Sequence, residues 1–156
     1  MKLYVLRHGE AESQAPSDAA RRLTPRGAAE VRAVTLACAQ RLAGLQRVVT
    51  SPYQRARQTA AELMRTLNFA GELLVETALT PAGDAGQVAA LIDALGCEAL
   101  LLVSHQPLVG ELLGYLTDSE DVAPMGTAYL AALDIAVCTR GGGACFGSNV
   151  RPVEPA

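Results

Sequence analysis

The chain has 156 residues, which is enough for one domain with a full core and too short to expect two. Half of the residues are hydrophobic, yet no apolar run approaches the roughly 20 residues of a membrane span, and the start lacks the features of a secretory signal. The net charge is −3 and no basic stripe occurs, which argues against nucleic acid. We therefore expect a soluble cytoplasmic protein in which residues 1–156 form a single domain, with neither a membrane nor a nucleic acid as partner.

The first half of the chain alternates between short apolar runs and helix starts. Apolar runs without polar alternation are typical of strands covered on both faces, as in a parallel sheet. A hydroxyl residue followed by proline favours the first turn of a helix, where the missing proline N–H is not needed. These patterns predict strands at Leu3–Leu6, Val48–Val49 and Leu73–Val75, a loop over residues 10–22, and helices from Thr24-Pro25 to about Leu42 and from Ser51-Pro52 to about Leu67.

The second half continues this alternation of strands and helices. Its most continuous apolar run, Ala99–Val103, is expected to be the central strand. Strands that alternate with helices predict a three-layer α/β/α domain with a mostly parallel central sheet. The remaining expected elements are a helix from Asp84 or Gly86 to Gly96, a helix from Pro107 to about Leu116, a strand at Tyr129–Val137, a turn at Gly141–Gly143, an edge strand near Phe146–Val150 and a loose tail over residues 151–156.

The four cysteines are scattered and form no CxxC pair, so neither a zinc site nor a redox motif is indicated. Cys38 and Cys97 stand among apolar residues and are expected to be buried thiols. A Cys138–Cys145 bridge is conceivable across the glycine run, but a reducing cytoplasm argues against it.

Three predicted strands are followed by residues that carry chemistry. Arg7-His8 follows the first strand, Ser51-Pro52 and then Arg55 follow the second, and Ser104-His105 follows the central strand. Because the carboxyl ends of parallel strands meet at one sheet edge, these side chains are expected to share a crevice. Helix N-termini and arginine forks both favour phosphate oxygens. The sequence therefore predicts an anion site at this edge.

Each of these residues also has an ordinary structural interpretation. A single histidine at a strand end can be a satisfied structural residue, and an arginine such as Arg55 can lie solvated on a helix. Here both histidines of the chain follow strands at the same edge, with Arg55 between them in sequence. That combination favours a functional site over a structural one.

The segments LRHGEAE, TSPYQRARQTA and VSHQPLVGELL resemble the three signature segments of the histidine phosphatase superfamily, in the same order and spacing. The short chain and the segments RRLTPRG and LTPAGD are similar to the SixA-type phosphohistidine phosphatases in particular. The similarity runs over roughly residues 1–135. It implies a phosphoglycerate-mutase-like fold and a substrate that is a protein carrying phosphohistidine, such as a histidine phosphotransfer domain or a phosphotransferase-system carrier. We expect the chain itself to be a monomer.

The resemblance also implies a role for each site residue. His8 corresponds to the nucleophile that accepts the phosphoryl group, Arg7 and Arg55 to the arginines that bind its oxygens, and His105 to the histidine that donates to them. Arg21 corresponds to a further phosphate-binding arginine, with the adjacent Arg22 as the alternative. Since the arginines supply positive charge and no carboxylate cluster occurs, we expect neither a metal nor a cofactor.

The lack of an obvious general acid indicates which leaving group this chain can release. A sugar alkoxide needs a good general acid in order to leave, whereas imidazole, whose conjugate acid has a pKa of about 6.5, leaves far more readily. Larger relatives place a glutamate in the loop after the third strand, but here Asp84 is the only carboxylate in that loop, and it can equally cap the next helix. This favours phosphohistidine over a phosphate ester.

Three other functions stay open from the sequence. The first is a small phosphomonoesterase in which Asp84 is the general acid. The second is a phosphate-sensing or phosphoprotein-binding module without turnover, although such a module has no need of a nucleophile beside two arginines. The third is a phospho-relay protein that holds the phosphoryl group on His8 and passes it on.

Overall fold

The computed structural model describes residues 1–145 and 149–152. None of the helices in these ranges is long and apolar enough to cross a membrane. Helices α1–α4 span Pro25–Ala37, Gln54–Leu67, Ala85–Leu95 and Leu108–Thr117. Strands β1–β6 span Lys2–Arg7, Arg47–Thr50, Glu72–Val75, Ala99–Ser104, Leu130–Ile135 and Gly143–Cys145, and short 3-10 turns lie at Asp18–Ala20, Arg41–Gly44 and Thr77–Leu79.

The six strands form one sheet in the order β3-β2-β4-β1-β5-β6. The first four in this order are parallel, whereas β5 and β6 run antiparallel to their neighbours. Every residue of β4 is buried, as expected for a strand that has neighbours on both sides and is covered on both faces. The prediction of a mostly parallel sheet is confirmed.

Alternate side chains of β1 enter two different cores. Leu3 and Val5 pack with apolar residues of α3 and α4, whereas Tyr4 and Leu6 pack with those of α1 and α2. This is the period of two that a strand imposes on its side chains. Helices therefore cover both faces of the sheet, and the predicted three-layer α/β/α architecture is confirmed.

Both helices of the first half differ from the prediction at one end. Helix α1 ends at Ala37 and not at Leu42, because the chain tightens there into the 3-10 turn at Arg41–Gly44. Leu42 lies in that turn and its side chain is still buried, so an apolar residue at this position is compatible with either a turn or a helix. Helix α2 begins at Gln54 and not at Ser51-Pro52, since the Ser51 N–H still donates to the Val103 carbonyl at 3.1 Å and so extends the sheet by one residue.

The second strand of the C-terminal hairpin begins earlier than predicted. Strand β5 covers Leu130–Ile135, and β6 covers Gly143–Cys145, so the glycine run leads directly into the edge strand. Close approach requires these glycines, because a Cβ on Gly142 would lie 1.9 Å from the Val137 carbonyl oxygen. Of the predicted edge strand, 146–148 lie outside the described residues and Val150 forms a single bridge to Leu130. In the predicted tail, residues 153–156 also lie outside them.

The four cysteines are free thiols, so the Cys138–Cys145 pair forms no bridge. Cys38 is buried as predicted, but Cys97 is only half-buried, because it lies in the short connection between α3 and β4 and not within an element.

Candidate active site

The carboxyl ends of β1, β2 and β4 bring both histidines to one place. The sheet pairs Arg7 with Ser104, and the His8 N–H donates to the Ser104 carbonyl at 3.0 Å. His105 directly follows the last residue of β4, and the two imidazole rings lie near each other with centroids 5.1 Å apart. The predicted convergence of His8 and His105 is thus present in the structure.

His8 is held with one ring nitrogen bonded and the other directed at an arginine. Its Nδ1 lies 2.7 Å from the Gly9 carbonyl oxygen, which can only accept, so Nδ1 carries the proton. Nε2 therefore has the free lone pair, which accepts from Arg55 Nε at 3.2 Å. Burial, assisted by the charges of Arg55 and Arg7, lowers the pKa of His8 from 6.5 to about 4. At neutral pH this imidazole is uncharged, and its available lone pair lies on Nε2.

Two glycines fix the loop that carries His8. A Cβ on Gly9 would lie 2.7 Å from the Gly27 carbonyl oxygen, and a Cβ on Gly27 would lie 2.2 Å from the Glu10 carbonyl oxygen. Any larger residue at either position would push the loop away from α1. The Gly9 N–H also donates to Thr59 Oγ1 of α2 at 3.1 Å, so the loop is anchored to both helices of this face.

Two cations lie beside the histidines: Arg55, which is buried, and Arg7, which is half-buried. Arg55, in the first turn of α2, donates through Nη1 to the Asp18 carbonyl at 2.7 Å and through Nη2 to the Asp18 carboxylate at 3.2 Å. Its guanidinium also lies over the Tyr53 ring, 5.2 Å from the centroid. Arg7 donates through Nη1 to the Met125 carbonyl at 2.7 Å. Burial, followed by the charge of Arg55, lowers the pKa of Arg7.

The His105 ring is held by contacts with Ser51 and Tyr53. Its Nε2 lies 2.7 Å from Ser51 Oγ, and the edge of the ring meets Tyr53 with centroids 5.1 Å apart. Burial, followed by His8 and Arg55, lowers the pKa of His105 from 6.5 to about 3, so this ring is also neutral.

Two nitrogen atoms at this edge lack a hydrogen-bond partner. Within the described residues, Arg7 Nε and His105 Nδ1 are buried polar atoms without any hydrogen-bond partner. Buried polar atoms are almost always paired, because leaving one unpaired costs about 1–3 kcal/mol. Two unpaired nitrogens beside the Arg55 guanidinium are the arrangement that oxygens of a bound anion would complete.

Arg21 and not Arg22 lies at the site. Arg21 donates through Nη1 to the Asp18 carboxylate at 3.0 Å and through Nε to the Glu12 carbonyl at 2.6 Å. Asp18 therefore bridges Arg21 and Arg55, and both arginines, Arg21 first, lower its pKa. Arg22 is exposed.

Asp84 caps α3, which is one of the two roles that the sequence left open for it. Its Oδ1 accepts the Gln87 N–H at 2.9 Å. The carboxylate also lines a groove of about 650 Å³ between α3 and α4, which reaches Gln106 and Pro107 but includes none of Arg7, His8, Arg55 and His105.

Three residues at the site were missed by sequence reasoning. Ser51 was placed at this sheet edge with the other strand ends, but it was given no role there beyond the start of a helix. Tyr53 follows it and flanks both His105 and Arg55. Asp18 carried no signal, since it lies in a polar loop without periodicity. Within the described residues, no three His, Cys, Asp or Glu side chains come together to hold a metal ion.

Comparison with known proteins identifies the family. The sequence profile of the histidine phosphatase superfamily (branch 1) matches residues 3–80. This chain belongs to the histidine phosphatase superfamily. It is 36% identical over 138 residues to the phosphohistidine phosphatase SixA of Escherichia coli K12, with 86% of each chain covered. A SixA homolog of Haemophilus influenzae is 32% identical over 143 residues, covering 85% of this chain and 87% of the homolog.

A solved structure gives the same result for the fold. The protein histidine phosphatase SixA complexed with tungstate superposes with a TM-score of 0.89 at 34% identity, and 97% of each chain is covered. The predicted membership of the superfamily and the similarity to SixA are confirmed.

Proposed function

We propose that this chain is a protein phosphohistidine phosphatase that works through a phospho-His8 intermediate. The observation that carries the proposal is the buried, neutral His8 with its Nε2 lone pair beside Arg55, near two buried nitrogen atoms that lack partners. The 36% sequence identity to SixA, in an alignment that covers 86% of this chain, supports the choice of phosphohistidine as the substrate.

In the first step, His8 Nε2 attacks phosphorus, a P–N bond forms to His8, and the P–N bond to the substrate imidazole breaks. The substrate imidazole carries a proton on its other ring nitrogen when the bond breaks, so it leaves as the neutral ring. Arg55 turns from Nε2 to the phosphoryl oxygens, and Arg7 and His105 Nδ1 donate to the same oxygens. In the second step, water attacks phosphorus, His8 is released and inorganic phosphate forms. Positioning and charge neutralisation account for most of the catalysis in such transfers.

The substrate in this proposal is a protein, such as a histidine phosphotransfer domain or a phosphotransferase-system carrier. The enzyme acts as a monomer with residues 1–156 in one domain. In support, the described residues share one sheet, and their large exposed apolar side chains are few: Leu36, Val137, and the pair Leu73 and Val75 on the edge strand β3.

The decisive experiment follows phosphate release from an excess of a protein that carries radiolabelled phosphohistidine. A catalytic amount of the wild-type chain is compared with His8→Asn, which keeps an amide donor for the Gly9 carbonyl, and both are also tested on an aryl phosphate. Release over many turnovers that disappears in His8→Asn is the expected result. Release only from the aryl phosphate, or label that stays bound to the chain without turnover, would contradict the proposal.

The phosphomonoesterase alternative depends on Asp84. Its carboxylate is engaged by the Gln87 N–H, which favours the capping role. The variant Asp84→Asn keeps a cap while removing the acid. If Asp84 acts as a general acid, this variant loses turnover on an alkyl phosphate and keeps it on a phosphoramidate; we expect no loss on either substrate beyond about twofold.

A further inference from the structure

Ser51 is fully buried between the end of β2 and the His105 ring. Its backbone N–H donates to the Val103 carbonyl at 3.1 Å, so the residue is fixed to the neighbouring strand β4. Its side chain has two contacts: Oγ accepts the Tyr53 N–H at 3.2 Å and lies 2.7 Å from His105 Nε2. The serine is therefore held at both its backbone and its hydroxyl.

The two contacts determine the direction of the bond between Ser51 and His105. A hydroxyl has one hydrogen to donate, and the Tyr53 N–H already uses one of its lone pairs. Among the described residues no other acceptor lies within reach of the Ser51 hydroxyl, and the side chain is inaccessible to water. The hydroxyl hydrogen is satisfied only if it points at His105 Nε2, which must then be the unprotonated nitrogen of that ring.

The single proton of the neutral His105 ring consequently lies on Nδ1. That nitrogen is the buried atom without a partner, beside the His8 ring. The opposite tautomer would leave two defects: the Ser51 hydroxyl hydrogen would be unpaired, and Nδ1 would present a lone pair to the site. A lone pair repels phosphoryl oxygens, whereas an N–H donates to them.

We propose that Ser51 is a positioning residue that keeps the proton of His105 on Nδ1, so that His105 donates to the phosphoryl group. The inference rests on the proposed function for its catalytic consequence, but the tautomer itself is a property of the free chain. Ser51 contacts no reacting atom and acts only through the His105 ring.

The tautomer is measured by ¹⁵N NMR on the imidazole nitrogens of the untagged protein at pH 7.5. The chain has only two histidines, and His8→Asn assigns their signals. In the wild type we expect His105 Nδ1 to be protonated and Nε2 to be unprotonated. Protonation at Nε2 in the wild type would overturn the inference, whether or not any variant folds.

Ser51→Ala removes the hydroxyl and leaves Nε2 without its donor. The expected result is a mixture of the two His105 tautomers, while His8, whose Nδ1 is bonded to the Gly9 carbonyl, keeps its own tautomer as an internal reference. Ser104→Ala is the matched control, because this neighbouring serine is equally buried but donates to the Leu79 carbonyl at 2.7 Å. A control variant that shifts the His105 tautomer as much as Ser51→Ala would contradict the specific role of Ser51.

Turnover separates this inference from the proposed function. In Ser51→Ala we expect kcat on phosphohistidine to fall about tenfold with KM little changed, the size expected from one hydrogen bond that acts in the transition state. If the wild type has the expected tautomer but does not hydrolyse phosphohistidine, the proposed function fails and the assignment of Ser51 to His105 stands. If the wild type is active and Ser51→Ala has an unchanged tautomer and unchanged kcat, the inference alone fails.

Discussion

The buried histidines predict how the stability of this protein depends on pH. In the unfolded chain His8 has an ordinary pKa of 6.5, and in the folded chain burial lowers that pKa to about 4. Between these values the unfolded state binds a proton that the folded state does not bind. The free energy of unfolding must therefore fall as the pH drops below 6.5, and it rises again as the pH is raised.

The size of this effect follows from the two pKa values. A pH of 5 lies 1.5 units below the pKa of His8 in the unfolded chain, and each unit is worth about 1.4 kcal/mol. His8 therefore lowers the free energy of unfolding at pH 5 by about 2 kcal/mol relative to pH 8. His105, with a pKa lowered to about 3, contributes a similar amount. In the variants His8→Asn and His105→Gln, one of these contributions is removed, and the change in stability between pH 8 and pH 5 is expected to be smaller by about 2 kcal/mol in each.

The assay is urea unfolding at pH 8 and pH 5 in buffers without phosphate, because a bound anion would stabilise the folded state. Acidic groups such as Asp18 also affect stability in this range, but they are common to wild type and variant and cancel in the comparison. If His8→Asn loses as much stability as the wild type between the two pH values, then His8 is not held neutral in the folded chain, and the argument for an uncharged nucleophile fails.

Three further substitutions test other parts of the site. Arg55→Lys keeps the charge but loses the planar fork, so kcat/KM is expected to fall about a hundredfold, and a loss below threefold would contradict its role as a phosphoryl clamp. Asp18→Asn removes the negative charge shared by Arg55 and Arg21, so competitive inhibition by inorganic phosphate should strengthen about fivefold; weaker inhibition would mean that Asp18 is needed to orient Arg55. Gly27→Ala would place a Cβ 2.2 Å from the Glu10 carbonyl oxygen, so thermal unfolding should shift down by several degrees and turnover should fall with it, whereas Gly44→Ala, with nothing within 4 Å, should change neither.

Much of the fold could be predicted from the sequence because local signals agreed with one another. The uninterrupted apolar run Ala99–Val103 predicted a strand buried on both faces, and β4 is buried at every residue. Thr24-Pro25 predicted the start of α1, where the Thr24 hydroxyl accepts the Gly27 N–H at 2.9 Å. Signals of this kind act within one turn or one strand, so they do not depend on distant parts of the chain.

Element ends were predicted less well, because long-range contacts decide them. Ser51-Pro52 has the pattern of a helix start, but the Ser51 N–H finds the Val103 carbonyl, 52 residues away in sequence, and the strand continues instead. In the same way, the end of α1 depends on how Leu42 reaches the core, and the start of β6 on how closely Gly142 approaches Val137.

The sequence by itself determined the parallel sheet and which residue types follow its strands, and therefore that Arg7, His8, Arg55 and His105 would meet at one edge. Only the tertiary structure decided how these groups are paired. The direction of the Ser51 hydroxyl, the bridge that Asp18 makes between Arg21 and Arg55, and the two donors left without partners depend on angles and distances between side chains from different elements. The tertiary structure also determined the lowered pKa values of the two histidines. Burial is the largest cause of both shifts, and the rings are buried only once the helices have packed on the sheet.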